Sequence, residues 1–311
     1  MSEHKVLVET GHAADSAPTM LPTLAVIGAA VLWGASFPAM RVTIGVFGPW
    51  AVMWMRMVLA LAVIMPFARS LGPANPAKGD WRLILAMVLF QPCLYFLFES
   101  YALKFTTSSQ AGIISASLPL MVAIGARLAL REALEARKLA GLILAMLGVV
   151  ALTLAGDGGG DAQNPMLGNF LELLAMMSAA GYMILVKMLC SRFAPWRLTA
   201  MQMLAGAVFF TPGVIHLFQA GISGWNLGLV LAMLFLGVFV TLGAFGLYNW
   251  GTSRIPASRA SAFVNLVPVV AVAMGWTFLG EGLNGIQVAA GAVVIGGVWI
   301  SQSRKRQDRG L

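Results

Sequence analysis

The stretch Thr107–Leu134, TSSQAGIISASLPLMVAIGARLALREAL, is answered 149 positions later by Pro256–Leu283, PASRASAFVNLVPVVAVAMGWTFLGEGL. At that shift Ser109 falls on Ser258, Ala111 on Ala260, Pro119 on Pro268, Leu130 on Leu279, Glu132 on Glu281 and Leu134 on Leu283. Each copy sets a proline inside an apolar run and a Glu-x-Leu just beyond its end. The same shift carries Tyr101 onto Trp250 upstream, and Ala140, Gly148 and Val149 onto Ala289, Gly297 and Val298 downstream. The register holds through much of each half, so the chain reads as a duplication, and a duplication sets the unit of architecture.

Composition decides the solvent. Of 311 residues, 59% are hydrophobic and only 10% charged, with a mean hydropathy of +0.84. That is more apolar surface than one soluble core can hide, so the chain belongs in lipid. A formal charge of +8 would suit nucleic acid in a soluble domain. In a membrane protein lysines and arginines gather on cytoplasmic loops and set topology, so no nucleic-acid partner is expected. Cys93 and Cys190 lie inside apolar runs, without metal-ligand spacing, and support neither a disulfide nor a metal site.

About 20 helical residues cross roughly 30 Å of hydrocarbon. Apolar runs near that length occupy about 22–44, 49–69, 82–103, 107–130, 137–155, 166–190, 196–218, 227–251, 256–279 and 285–302. The expected layout is a disordered cytoplasmic tail over 1–20, which lacks the features of a secretory signal, a first five-helix repeat over 21–155, an outer linker over 156–165, a second five-helix repeat over 166–302 and a basic cytoplasmic tail over 303–311. With the N-terminus inside, all 20 lysines and arginines except Arg41, Arg56 and Lys104 fall on the cytoplasmic side, so both termini are placed there. Five spans per copy is an odd number, which forces the second copy to cross in the opposite direction. The expected fold is an all-α integral membrane protein of ten transmembrane helices in two inverted repeats, the arrangement of secondary transporters with a mid-membrane site between the repeats. On this plan Glu132 ends the fourth helix at the cytoplasmic face and Glu281 ends the ninth at the outer face, both as helix-end markers.

Pro119 and Pro268 fall inside the fourth and ninth helices, where each removes a backbone donor and frees a carbonyl one turn earlier, at Ser115 and Val264. They are candidate hinges beside a central cavity; plain structural kinks are the alternative, since proline is frequent in membrane helices. The first helix carries Trp33-Gly34-Ala35-Ser36-Phe37-Pro38, and its counterpart in the sixth reads Ser178-Ala179-Ala180-Gly181-Tyr182. Trp33, Ser36 and Tyr182 are candidates to face a ligand, while the small residues alone would serve close packing. Gln91, Tyr95, Phe98 and Ala102 share a stripe on the third helix, and Asn265 stands beside Pro268. Such a stripe is either a ligand wall or helix packing.

Buried charge is scarce and costly in a bilayer. Arg56 and Glu99 reach similar depth from the outer side and are expected to pair, as a structural ion pair or as a site for a substrate carboxylate or a proton. Glu172, near the outer end of the sixth helix, reads as interfacial. There is no Walker loop, so no ATP is expected, and His4, His12 and His216 belong to no catalytic set. No enzyme activity, catalytic residue, metal or cofactor is expected. Gly141 with Ala145, and Ala292 with Gly296, would pack either a homodimer or the interior of a monomer.

WGASFP at 33–38, VMWMRMVLALAV at 52–63, the run from Glu99 through Leu134 and SRASAFVNLVPVVAVAMGWTFLGEGL at 258–283 together resemble the EamA-type members of the drug/metabolite transporter superfamily. Within it the chain resembles the YddG-like aromatic amino-acid exporters. The resemblance implies a multi-pass protein of the bacterial inner membrane that exports small metabolites, most of all aromatic amino acids, by alternating access. It also implies a cavity lined by Trp33, Ser36, Tyr95, Phe98, Tyr182, Asn265 and the residues around both prolines. Unlike the small multidrug members, whose coupling glutamate lies in the first helix, this chain has no acidic residue there, which leaves facilitated efflux open beside proton coupling. The alternatives are export of other amino acids, organic cations or nucleosides, and a non-transporting lipid flippase or scaffold.

Overall fold

The computed structural model describes residues 20–130, 136–155, 162–221, 225–255 and 263–302. Among these every regular element is helical, and a single isolated bridge joins Ala74 to Phe193. The expected tails, Glu132, Pro256, Ser258 and most of the 156–165 linker lie outside the described residues.

The first two apolar runs form one continuous assignment, α1 (Met20–Ile64), interrupted at Gly48 by φ 76°, ψ 162°. A straight helix would hold Met40 and Arg56 about 24 Å apart, yet the Arg56 guanidinium touches the Met40 sulfur. The chain therefore folds back at Gly48, whose left-handed φ a residue with Cβ would resist. Pro49 follows in the first turn of the second arm, where its missing N–H costs little.

The third run is α2 (Asp80–Val88), a π-helical segment Leu89–Leu94 and α3 (Tyr95–Phe105). The fourth is α4 (Ser108–Ser115) followed by α5 (Leu118–Leu130). Then come α6 (Ala136–Leu154), α7 (Pro165–Leu189), α8 (Pro195–Phe209) and α9 (Gly213–Ala220), the last two bent by 61°. The chain continues with α10 (Leu227–Leu234), a second π-helical segment Phe235–Ala244, α11 (Phe245–Thr252), α12 (Leu266–Leu279) and α13 (Gly285–Gln302). By length and hydropathy, four described helices can cross a membrane, or five when the bent pair counts as one. The difference from ten is accounted for among the described residues: α1 merges two runs, the runs holding Pro119 and Pro268 are divided into shorter pieces, and α6 and α13 count among the shorter apolar helices.

Both prolines were expected to bend continuous helices; instead the helix stops ahead of each. At the first break Ala116 N–H bonds Ile113 O and Ser117 N–H bonds Ile114 O, tightening the turn. Pro119 then falls in the first turn of α5, and Pro268 in the first turn of α12, where no helical donor is required of them.

The duplication is visible in packing. A Cβ on Gly148 would lie 2.8 Å from Val294 and 3.0 Å from the Ala290 carbonyl, and one on Gly297 would lie 2.6 Å from the Ala145 nitrogen and the Gly141 carbonyl. These contacts interchange under the 149-residue shift, so α6 and α13 meet antiparallel through reciprocal faces. That uses Gly141 and Ala145 within the monomer. The outer surface carries exposed Leu85, Phe170, Val208, Phe239 and Trp299, the inversion of a soluble surface that lipid permits.

Candidate functional site

Between the halves lies a narrow cavity with about 40 Å³ of room for the centres of water-sized molecules, space for a few waters in this closed form rather than for a whole small ligand. Its wall draws on both repeats. Trp33, Ser36, Gln91, Tyr95 and Tyr182, all expected there, line it, as do Ser115 and Leu118 before and at the first break, and Val264 and Val267 at the second. Phe98 and Asn265 do not line it: Phe98 packs against the core, and Asn265 sits at the break behind Val264. Glu99, expected in an ion pair, faces the cavity as well, and Met176, Met183 and Phe245 line it without having been expected there.

Gln91 has φ −149°, ψ 120°, a break inside the π-helical segment, and its carbonyl accepts from the Gln202 amide at 3.2 Å. From this segment into α3 the cavity stripe runs Gln91, Tyr95, Glu99, at steps of four residues, rather than Gln91, Tyr95, Phe98, Ala102. The Tyr95 hydroxyl donates to the Glu99 carboxylate. Opposite, Tyr182 is 1% exposed, and its hydroxyl donates to Asn249 at 2.6 Å. Asn249 in turn donates to Thr199 at 3.0 Å, which fixes the tyrosine ring.

Trp33 stacks obliquely on Tyr248 and Phe245 at 5.0 and 5.3 Å, and its indole N–H is buried without a partner. Beside it, a Cβ on Gly34 would come within 2.5 Å of Val270, so the WGASFP step serves both close packing and the wall.

Arg56 and Glu99, expected to pair, make no direct salt bridge, although their charges act on each other. Arg56 is 1% exposed, donates through Nε to Thr241 at 2.9 Å and lies 4.6 Å over the Phe96 ring. The Thr241 hydroxyl in turn donates a hydrogen bond to the Leu236 carbonyl five residues back, a spacing that the second π-helical segment supplies. The Phe96 face and a hydroxyl thus hold the guanidinium behind the cavity wall. Glu172, expected at the interface, is fully buried on α7, and neither carboxylate oxygen has a partner among the described residues.

Glu281 also departs from expectation: it is a hub, not a helix-end marker. The chain leaves α12 through Gly280 at φ 65° and turns the glutamate inward. Its carboxylate accepts from Ser108 N at 3.0 Å, Ser108 Oγ at 2.7 Å, and Ser109 N and Oγ at 2.8 Å, and it pairs with Arg41 at 2.5 Å. It therefore caps the N-terminus of α4 as an anion should. Burial alone would raise this carboxyl's pKa, but the side-chain and backbone hydrogen bonds of Ser108 and Ser109 together outweigh burial and hold it below the usual range.

The sequence pattern of the EamA-like transporter family matches this chain twice, over residues 20–154 and 166–302. The chain belongs to the EamA-like transporter family. Among curated relatives of this EamA-like protein, the uncharacterized transporter YetK of Bacillus subtilis is 28% identical over 259 residues, covering 81% of this chain and 78% of its own length. The probable terminal-alkyne amino-acid exporter of Streptantibioticus cattleyicolor is 25% identical over 279 residues, covering 88% and 91%. A solved crystal structure shares the fold with TM-score 0.62 at 20% identity, over 90% of this chain and 96% of that one. The EamA-like chain is thus a membrane transporter of small metabolites, and these relatives give no support to a YddG-like aromatic subclass.

Proposed function

We propose that the protein exports amine-bearing small metabolites, amino acids and above all aromatic ones, across the bacterial inner membrane by alternating access around this cavity. One observation carries the reading: a cavity bordered by both helix breaks is walled by Trp33, Tyr95, Tyr182 and Phe245 and carries a single carboxyl group, that of Glu99. Ring faces suit a flat apolar side chain, and a carboxylate among aromatic rings suits an ammonium group. The basic group nearest the wall, Arg56, is committed to Thr241 and Phe96, which disfavours phosphate-bearing substrates. The name of the Streptantibioticus relative points toward amino-acid export.

In proteoliposomes loaded with unlabelled L-phenylalanine, the protein is expected to exchange labelled phenylalanine, tryptophan and tyrosine faster than glutamate. Exchange of glutamate at an equal rate would remove the aromatic preference. An absence of exchange for every amino acid would turn attention to the flippase alternative.

A further inference from the structure

The cavity has a second carboxyl group behind it. Glu99, 3% exposed, faces the cavity from α3; Glu172, fully buried, faces α3 from α7, the two helices packing along their lengths. Glu99 lies six residues from the end of α3 and Glu172 seven residues from the start of α7, so both sit about 9–10 Å from those ends. The two groups interact electrostatically. Among the described residues each oxygen of Glu172 lacks a hydrogen-bond partner, and Glu99 has only the Tyr95 hydroxyl.

Two adjacent carboxylates cannot both stay ionised away from water without donors, because neither desolvation nor mutual repulsion is offset. The charged or titratable groups bearing on the pair are Tyr95 on α3 and Arg56 on α1. Arg56 provides one positive charge for two carboxyls, across the Phe96 ring. The other described charges on elements packed against α3 and α7 are directed elsewhere. Arg82, Lys104, Arg137 and Lys187 are exposed, Arg41 pairs with Glu281, and Asp80 pairs with Arg192. The helix α4, which packs against both, carries no charged residue.

We propose that Glu99 and Glu172 together hold one exchangeable proton and that the ammonium group of a substrate in the cavity displaces it, making the protein a proton-coupled exporter. With the cavity empty, the proton rests on the pair and leaves one negative charge to balance Arg56. When the substrate ammonium reaches Glu99, the proton departs and the second carboxylate is balanced by the incoming cation. One proton moves one way for each amine moved the other. The amine-bearing substrate rests on the function proposed above; the proton site rests on the buried pair alone.

Two measurements on the full chain in liposomes test this and separate it from the export reading. Infrared difference spectra between acid and alkaline buffer are expected to show a protonated-carboxyl band that disappears in Glu172→Gln and is displaced in Glu99→Gln. A band unchanged in Glu172→Gln overturns the pair. With membrane potential clamped and the lumen one pH unit more acid, wild type should concentrate L-phenylalanine about tenfold, the ratio that about 1.4 kcal/mol per proton supports. Glu172→Gln should bring that ratio toward one. Vigorous exchange in wild type with no accumulation overturns the coupling while leaving export standing. An absence of exchange sinks the export reading, and the infrared band then decides the proton site alone. Should Glu172→Gln not fold, Glu99→Gln carries both measurements, and an unchanged band together with full accumulation there overturns the proposal.

Discussion

Glu281 and Glu172 are both acidic residues removed from water, 4% and 0% exposed, in opposite surroundings. Glu281 accepts four hydrogen bonds from Ser108 and Ser109 and pairs with Arg41. Glu172 accepts none. Burial alone therefore says little about what a carboxyl does. One with donors on every side is a fixed anion that ties elements together, here α12 of the second repeat to α1 and α4 of the first. One without donors is under-satisfied, and in a protein otherwise closely packed that marks a group whose state changes.

The largest expected effect tests the satisfied side. Glu281→Gln removes the charge that Arg41 and the start of α4 are arranged around, and breaking such a pair costs about 3 kcal/mol or more. The detergent-solubilised variant should lose that much in denaturant or thermal unfolding. A change below about 1 kcal/mol, the worth of an ordinary surface pair, would show that the hub is incidental. Acid should reproduce part of the loss. Because the folded carboxyl titrates below the ordinary glutamate value of about 4.3, its contribution is complete above that value and disappears as pH falls through the lower folded value. Wild type should lose stability on acidification below about pH 4.3 more steeply than Glu281→Gln does, and parallel acid profiles would contradict the assignment.

Next in size is Gly275→Val. A Cβ there would sit 2.7 Å from the Glu281 carboxylate and from Ser109 Oγ, so the added methyl groups must push the hub apart, at about 1–3 kcal/mol for overpacking. Combined with Glu281→Gln its cost should shrink, since the two act on the same contact. Full additivity would mean that the glycine serves some other purpose.

Pro119→Ala with Pro268→Ala probes the ground between hub and cavity. Alanine allows α4 to continue into α5, and the turn at Asn265 into α12, which would draw Ser115, Leu118, Val264 and Val267 out of the cavity wall. Exchange is expected to fall several-fold with a smaller loss of stability than Glu281→Gln shows. Unchanged exchange in the double variant would deny the breaks any role in transport.

Much of this was legible because residue types and register carry it. The 149-residue shift anticipated the reciprocal glycines, Gly148 and Gly297, since close helix packing requires the same small residue at the same place in each copy. Trp33, Ser36, Gln91, Tyr95 and Tyr182 stood out as polar or aromatic groups in apolar runs. What escaped notice lay outside residue type and spacing. From Tyr95 the steps to Phe98 and to Glu99 are equally regular in α3, so helical spacing alone does not choose between them. The Arg56 partner, Thr241, lies 185 residues away, and no charge pattern points to a hydroxyl. The role of Glu281 depends in part on backbone N–H groups at the start of α4, a feature no side-chain pattern displays.

The smallest expected effect is the most discriminating. Glu172→Gln preserves shape and removes an acid whose oxygens have no donors, so no hydrogen bond is lost with the charge. If the group carries a proton in the folded protein, the amide replaces a neutral acid of nearly the same size, and unfolding should shift by less than about 1 kcal/mol, in either direction. If Glu172 were instead a second fixed anion beside an ionised Glu99, Arg56 could balance only one of the two, and the same substitution would remove an uncompensated buried charge and raise stability by more than about 1 kcal/mol. The two glutamates would then differ only in how their partners are arranged, and the contrast between anchor and proton site would fail.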